Sequence, residues 1–144
     1  MAKILYTAEA TVTGGRAEGH GRTSDGEVDV QLRLPTEMGG QGGGTNPEQL
    51  FAIGYAACFE GALGVVGRRE KAEVGDASID SKVSLLPNDN KGFDLAVELD
   101  VTLPQVTDPE EAKRIVAGAH EVCPYSNATR GNIAVTLTAN GQPI

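Results

Sequence analysis

The chain has few groups that can carry out redox or nucleophilic chemistry. Its 144 residues include only two cysteines, Cys58 and Cys123, and two histidines, His20 and His120. Structural zinc sites usually take ligands in close pairs such as Cys-x2-Cys, and these four residues are not spaced in that way. We therefore expect no metal site, and the two cysteines become the candidate reactive groups.

Positive charge is also scarce. The chain has 12 lysines and arginines against 20 aspartates and glutamates, which gives a formal net charge of −8 and an isoelectric point near 4.7. A phosphate backbone or an anionic membrane surface would repel such a chain. We expect no binding to nucleic acid or membrane, so small molecules and other proteins remain as partners.

Long apolar segments are missing as well. The longest apolar region, residues 50–66, is interrupted by Glu60 and falls short of the ~20 residues that span a bilayer. The N-terminus lacks the apolar stretch of a signal peptide, so we expect a cytoplasmic protein. A static disulfide rarely persists in that reducing compartment, and the cysteine pair therefore indicates transient redox chemistry, metal binding or core packing.

Apolar alternation and helix-capping residues predict the fold. The length and the 40% hydrophobic content suit a single domain over residues 1–144. Period-two alternation predicts strands at residues 4–12, 28–34, 79–85, 93–103 and 133–139, with a weaker one within 16–24. The glycine-rich residues 35–45 are expected to form a mobile loop.

Two helices are predicted from their first residues. Asn46 is a suitable N-cap for a helix that runs to about Gly67, with Pro47 in the first position and Gln49 reaching back as in a capping box. This helix is apolar on nearly every side, which is typical of an enclosed, central helix. Asp108 caps a second helix that ends near Cys123. The order of elements predicts an α+β fold with a mainly antiparallel sheet.

The surroundings of the two cysteines differ. Cys58 lies in an apolar run, where a cysteine also packs well as a small hydrophobe, whereas Cys123 opens a polar turn. A thiolate is favoured by a nearby cation and opposed by apolar burial or a negative helix end. Cys58 would therefore need an arginine, and Cys123, at the end of the second helix, suits a thiol that reacts second. His120 could touch the Cys123 thiol or could be solvated or capping.

Three segments carry a resemblance to a known family. They are residues 14–19 (GGRAEG), residues 45–59 (TNPEQLFAIGYAACF) and residues 122–132 (VCPYSNATRGN). With them the chain resembles the organic hydroperoxide resistance proteins, the Ohr branch of the Ohr/OsmC superfamily. The resemblance implies an OsmC-like fold in an intertwined homodimer. It also implies a thiol-dependent peroxidase that reduces alkyl and fatty-acid hydroperoxides to alcohols.

The resemblance further implies roles for individual residues. Cys58 would be the peroxidatic cysteine and Cys123 the resolving one, with dihydrolipoyl groups of a lipoylated protein as reductant and no bound cofactor. Arg16 would stabilise the thiolate while Glu48 holds its guanidinium in place. Without the resemblance, Arg16 would be interpreted as a solvated turn residue and Glu48 as a first-turn partner of the helix dipole.

The spacing of Glu48 and Cys58 raises a geometric question. They are ten positions apart, which corresponds to about 15 Å along a straight helix. Either the helix breaks at Gly54, or Arg16 bridges the gap, or Arg16 and Glu48 serve the Cys58 of a partner subunit. We favour the last hypothesis, since the resemblance implies active sites at the subunit interface.

Apolar residues near Cys58 could form a channel for an alkyl tail. We expect Phe51, Phe59 and Met38 to contribute to it, with core packing as the alternative role of each. Two other functions remain open. One is an OsmC-like peroxidase of broader substrate range, and the other is a dimer that senses redox state or binds a small molecule without catalysis.

Overall fold

The computed structural model describes residues 2–144, which fall into two compact units, residues 2–50 and Phe51–Ile144. The elements of the first unit are β1 (Ala10–Thr13), β2 (Glu18–Thr23), β3 (Asp29–Arg33) and a 3₁₀ turn (Thr36–Met38). Helix α1 (Pro47–Glu70) begins in the first unit and continues into the second. The second unit adds β4 (Ser78–Pro87), β5 (Phe93–Thr102), α2 (Pro109–Val122), α3 (Pro124–Thr129), β6 (Ala134–Ala139) and β7 (Gln142–Pro143). The single domain stays a prediction.

The N-terminal unit is an antiparallel sheet in the order β1-β2-β3. The turn between β1 and β2 contains Gly14 and Gly15 at φ values of +78° and +72°, which glycine adopts without a steric cost. Arg16 follows directly in this turn. The segment 35–45 carries more structure than the predicted loop, because its 3₁₀ turn is followed by a hydrogen bond from Gly42 N to Leu34 O.

The first strand is shorter than predicted. It begins at Ala10, so the strand predicted for residues 4–12 is wrong over residues 4–9. Ile4, Leu5 and Tyr6 are 76%, 95% and 79% exposed. Alternation shows only that a segment could be a strand, and this one pairs with no strand within the described residues 2–144.

Helix α1 starts as its capping residues predict. Asn46 Oδ1 accepts a hydrogen bond from Gln49 N at 2.9 Å, and Pro47 takes the first helical position. The capping box predicted for Gln49 is wrong, since its side-chain oxygen accepts instead from the hydroxyl of Thr45 at 2.8 Å.

The helix continues to Glu70, beyond the predicted end at Gly67, and it is not interrupted at Gly54. The alternative of a broken helix is therefore wrong. Gly54 instead admits a neighbour, because a Cβ there would lie 3.0 Å from the Tyr125 hydroxyl. Within the described chain α1 is not enclosed on every side as predicted, since Ile53 is 69% exposed.

By length and composition α1 could also cross a membrane. The prediction that the apolar region is too short to do so considered only residues 50–66, whereas the helix has 24 residues. A buried core helix passes the same test. Tyr55, Phe59 and Leu63 are almost fully buried in the core of the C-terminal unit, so we interpret α1 as a core helix.

The C-terminal unit contains a four-stranded sheet in the order β4-β5-β6-β7. β4 and β5 form the predicted antiparallel hairpin, whereas β5 and β6 pair in parallel, with Val97 opposite Val135. A parallel pair needs a crossover connection, which α2 and α3 provide. The sheet is therefore mixed, and the α+β class is confirmed.

One face of this sheet and two helices form the core. Val97, Leu99 and Val101 of β5 are buried together with Ile115 and Val116 of α2. The alternation of β5 follows from this arrangement, because its other face, with Asp100 and Glu98, is exposed. The predicted polar turn after Cys123 is instead the short helix α3, which begins at Pro124.

Candidate active site

Arg16 and Glu48 form a bidentate ion pair within the N-terminal unit. Arg16 Nη2 donates to Glu48 Oε1 at 2.7 Å, and Nη1 donates to Oε2 at 3.2 Å. The Gly14-Gly15 turn supplies the arginine, and the first turn of α1 supplies the carboxylate. A two-pronged contact fixes the orientation of the guanidinium as well as its position.

The Glu48 carboxylate is kept ionised by this contact. Its side chain is only 16% exposed. Burial raises the pKa of Glu48, but the Arg16 hydrogen bonds, a backbone hydrogen bond and the arginine charge outweigh burial, so the pKa lies below its ordinary value. Glu48 therefore stays ionised at neutral pH, and its bidentate contact holds the Arg16 guanidinium in a fixed geometry.

The two cysteine sulfurs meet within the C-terminal unit. Cys58 lies in the middle of α1 and Cys123 lies between α2 and α3, and their Sγ atoms are 3.5 Å apart as free thiols. Cys58 is partly exposed, whereas Cys123 is fully buried. The core packing that the apolar run around Cys58 suggests is therefore only partial, and a molecule from solution reaches Cys58 before Cys123.

The environment of Cys58 by itself favours the neutral thiol. Burial raises its pKa above the ordinary value, a hydrogen bond from the backbone amide of Tyr125 lowers it, and the neighbouring Cys123 raises it further. The Tyr125 amide is available because it lies in the first turn of α3, where backbone donors have no partner within the helix. The thiolate would need an additional positive charge.

Cys123 lies at two helix ends. As predicted, it follows the last turn of α2, where its amide donates to Ala119 O. It is also the N-cap residue of α3, and its carbonyl accepts from Asn127 N at 2.9 Å. The two helix ends have opposite effects on a thiolate, so the dipole argument for a late-reacting Cys123 loses its force. The clear difference between the two cysteines is burial, which is complete for Cys123 and partial for Cys58.

A buried hydrogen-bond network lies beside the sulfurs. The Tyr55 hydroxyl contacts the hydroxyls of Ser126 at 2.9 Å and Thr129 at 3.0 Å, and the Ser126 hydroxyl also contacts His120 Nδ1 at 2.8 Å. Neither Tyr55 nor Ser126 was predicted as a site residue. Two signals in the sequence could have found them: both lie in segments that carry the family resemblance, and each lies three positions from one of the cysteines.

The two histidines have different partners, each within its own unit. His120 contacts Ser126, and the sequence-based suggestion that it touches the thiol remains unsupported, while His20 contacts Asp29 in the N-terminal unit. Among residues 2–144 no group of three or more histidine, cysteine, aspartate or glutamate side chains is placed to hold a metal ion.

An open, mainly apolar groove of about 430 Å³ lies beside the network. Phe51 and Tyr125 line it, and their ring centroids are 5.8 Å apart. Of the three residues expected to form a channel, only Phe51 is in this groove. Phe59 is fully buried in the core, and Met38, in the N-terminal unit, is 46% exposed.

Comparison with known proteins defines the class. The family model for OsmC-like proteins matches residues 40–138, which is more than half of the chain. A crystal structure of an organic hydroperoxide resistance protein from Vibrio cholerae, with captopril bound in one of its active sites, superposes with a TM-score of 0.93 at 43% identity, covering 99% of this chain and 96% of that one. The fold is OsmC-like.

More similar sequences identify the branch. The organic hydroperoxide resistance protein of Xanthomonas axonopodis pv. citri is 54% identical over 140 residues, covering 94% of this chain and 95% of the relative. A structure of such a protein from Legionella pneumophila has a TM-score of 0.88 and 51% identity, covering 94% and 97% of the two chains. The chain therefore belongs to the organic hydroperoxide resistance proteins of the OsmC-like family.

The contacts of His120 predict its titration. Burial and the charge of Arg130 lower the pKa of His120 below its ordinary value of 6.5, with Glu121 acting weakly in the opposite direction. As the pH falls, His120 therefore becomes protonated in the unfolded chain before it does in the folded protein. The free energy of unfolding should then decrease as the pH falls from just above 6.5 to the lower pKa of the folded state. NMR titration of the ring protons measures this value, and His20→Gln assigns the His120 signals. A His120 pKa above 6.5 would contradict the burial argument.

Proposed function

We propose that the protein is a thiol-dependent peroxidase that reduces organic hydroperoxides to alcohols. The observation that carries the proposal is the pairing of a partly exposed Cys58 sulfur with a fully buried Cys123 sulfur 3.5 Å away. One sulfur can be reached by a substrate, and the other can react only with its neighbour. Membership of the organic hydroperoxide resistance family supports the same substrate class.

The proposed cycle has three steps. The Cys58 thiolate attacks the distal peroxide oxygen, the O–O bond breaks, and the alkoxide takes up a proton and leaves as an alcohol. Cys58 is then a sulfenic acid, and the Cys123 sulfur displaces its oxygen, which leaves as water with the thiol proton. Two dihydrolipoyl thiols of a lipoylated protein finally reduce the disulfide and are themselves oxidised to a cyclic disulfide.

Arg16 is the proposed source of the charge that Cys58 lacks. Burial favours the thiol of Cys58, whereas a guanidinium close to the sulfur would favour the thiolate and could donate to a peroxide oxygen. The bidentate contact with Glu48 keeps that guanidinium oriented. The ion pair therefore prepares a cation for the reacting sulfur.

We propose a cytoplasmic homodimer in which Arg16 and Glu48 act on the Cys58 of the partner. The exposed side of α1 supports this proposal, since Ile53, Ala57 and Gly61 follow one another at four-residue spacing and are all exposed. A Cβ at Gly61 would meet no atom within 4 Å, so this glycine leaves room for a second helix. The exposed apolar residues 4–6 would cover a partner in an intertwined dimer.

The groove beside Phe51 is the proposed site for the alkyl tail. Phe51 and Cys58 are seven positions apart on α1, and thus lie two turns apart on the same helix face. Tyr125 connects the groove to the Cys58 sulfur, because its ring lines the groove and its backbone amide donates a hydrogen bond to that sulfur. A tail in the groove would therefore extend from a peroxide at Cys58.

Cysteine variants test the reaction. With cumene hydroperoxide and dihydrolipoamide, Cys58→Ser should lower turnover by at least about a thousandfold, because the nucleophile is lost. Cys123→Ser should still consume one equivalent of hydroperoxide without reductant and leave a sulfenic acid that dimedone traps. Undiminished turnover in Cys58→Ser would refute the assignment. Oxidation of the wild-type pair without repeated turnover would instead indicate a redox sensor.

Substrate preference tests the groove. Each buried methylene contributes about 0.8 kcal/mol, or roughly fourfold in rate, so a fatty-acid hydroperoxide should have a far higher kcat/KM than hydrogen peroxide. Phe51→Ala should reduce this ratio, whereas Phe93→Ala should not, since Phe93 is 70% exposed and lies outside the groove. Equal rates for both peroxides would contradict the proposed apolar site and favour a broader OsmC-like peroxidase.

Mixed dimers test the shared site. Arg16→Gln and Cys58→Ser chains should each be nearly inactive. After the two chains are unfolded and refolded together, half of the dimers are mixed, and each contains one intact site if Arg16 acts across the interface. Activity should then recover to about a quarter of the wild-type value. The Arg69→Gln chain is the control for loss of an exposed arginine. No recovery would show that Arg16 acts within its own chain.

A further inference from the structure

A hydrogen bond links α1, which carries Cys58, to α3, whose N-cap is Cys123. On α1, Tyr55 lies three positions before Cys58, and at the start of α3, Ser126 lies three positions after Cys123. Residues three apart on a helix are neighbours on one face. The contact of 2.9 Å between the Tyr55 and Ser126 hydroxyls therefore lies about one helical turn from the contact between the two sulfurs.

This contact is buried and reinforced. Tyr55 and Ser126 are both fully buried, and each hydroxyl has a second partner, Thr129 for Tyr55 and His120 for Ser126. His120 belongs to α2, so the network joins α1, α2 and α3 at one point. Fully satisfied buried networks hold their elements in a single arrangement.

Packing alone does not require these hydroxyls. A phenylalanine ring would fill the space of Tyr55 almost equally well, and burying a hydroxyl is unfavourable unless it is hydrogen-bonded. Building on the proposed peroxidase function, we infer that Tyr55 and Ser126 are positioning residues that hold Cys58 and Cys123 at the distance from which a disulfide closes.

Disulfide closure is the step that depends on this distance. The Cys123 sulfur must approach the Cys58 sulfur in line with its S–O bond; the S–S bond forms, the S–O bond breaks, and the oxygen leaves as water with the thiol proton. Misplacement by about 1 Å can slow such an oriented step up to a hundredfold. A slower closure leaves the Cys58 sulfenic acid open to a second peroxide, which converts it to sulfinic acid.

Tyr55→Phe is the direct test, because it removes only the hydroxyl. In single-turnover experiments with cumene hydroperoxide, we expect oxidation of Cys58 at the wild-type rate and disulfide closure slowed roughly ten- to a hundredfold. Mass spectrometry should show more Cys58 sulfinic acid. Thr102→Val also removes one hydroxyl, from an exposed side chain at the end of β5, and it should behave as wild type. Unchanged closure in Tyr55→Phe would overturn the inference.

Ser126→Ala removes the other hydroxyl of the same hydrogen bond, and it replaces Tyr55→Phe as the test if that variant does not fold. The two effects should be clearly less than additive in the double variant, because both changes remove the same shared contact between Tyr55 and Ser126. Fully additive slowing would show that the two residues act separately and would contradict the inference.

A peroxide-free measurement separates this inference from the proposed function. In glutathione buffers, the equilibrium between dithiol and disulfide measures the effective concentration of one cysteine at the other. Tyr55→Phe should lower it about tenfold. If wild type fails to reduce hydroperoxides while this shift is present, the proposed function is wrong and the positioning role stands. An unshifted equilibrium together with normal closure would reject the positioning role.

Discussion

The approach of two sulfurs from separate helices is the constraint on which the C-terminal unit depends. Cys58 lies in the middle of a long helix, and Cys123 lies where α2 ends and α3 begins. The chain must bring these points together across 65 positions of sequence. The buried face of α1, the packing of α2 on the sheet and the parallel pairing of β5 with β6 all serve to place the α2–α3 junction against α1.

The sequence predicted the elements that local chemistry determines. Asn46 and Asp108 mark helix starts because their side chains accept hydrogen bonds from backbone amides that have no partner within the helix. The alternation of β5 follows because one face of its sheet is buried and the other is exposed. The parallel pairing of β6 and the missing strand before Ala10 depend on which distant segment is available to pair, and alternation carries no such information.

The candidate site shows the same division. A resemblance in motif was enough to select Arg16 with Glu48 and Cys58 with Cys123, and the structure brings each pair into contact. Which sulfur is exposed could not be predicted, because burial at Cys123 arises from the packing of several elements. The contact between Tyr55 and Ser126 also could not be predicted, because the two residues are 71 positions apart. A tyrosine inside an apolar run such as that around Tyr55 would be predicted only to pack in the core.

In the proposed cycle, the unequal exposure of the two sulfurs would also determine which of them a reducing thiol attacks. A reducing thiol must attack one sulfur of the disulfide in line with the S–S bond, and Cys123 offers no open surface for this approach. In the proposed cycle the incoming thiol would therefore join to Cys58 and expel Cys123 as the leaving group. Peroxide and reductant would use the same entrance in turn, so a tightly held alcohol product would delay repair as well as the next oxidation.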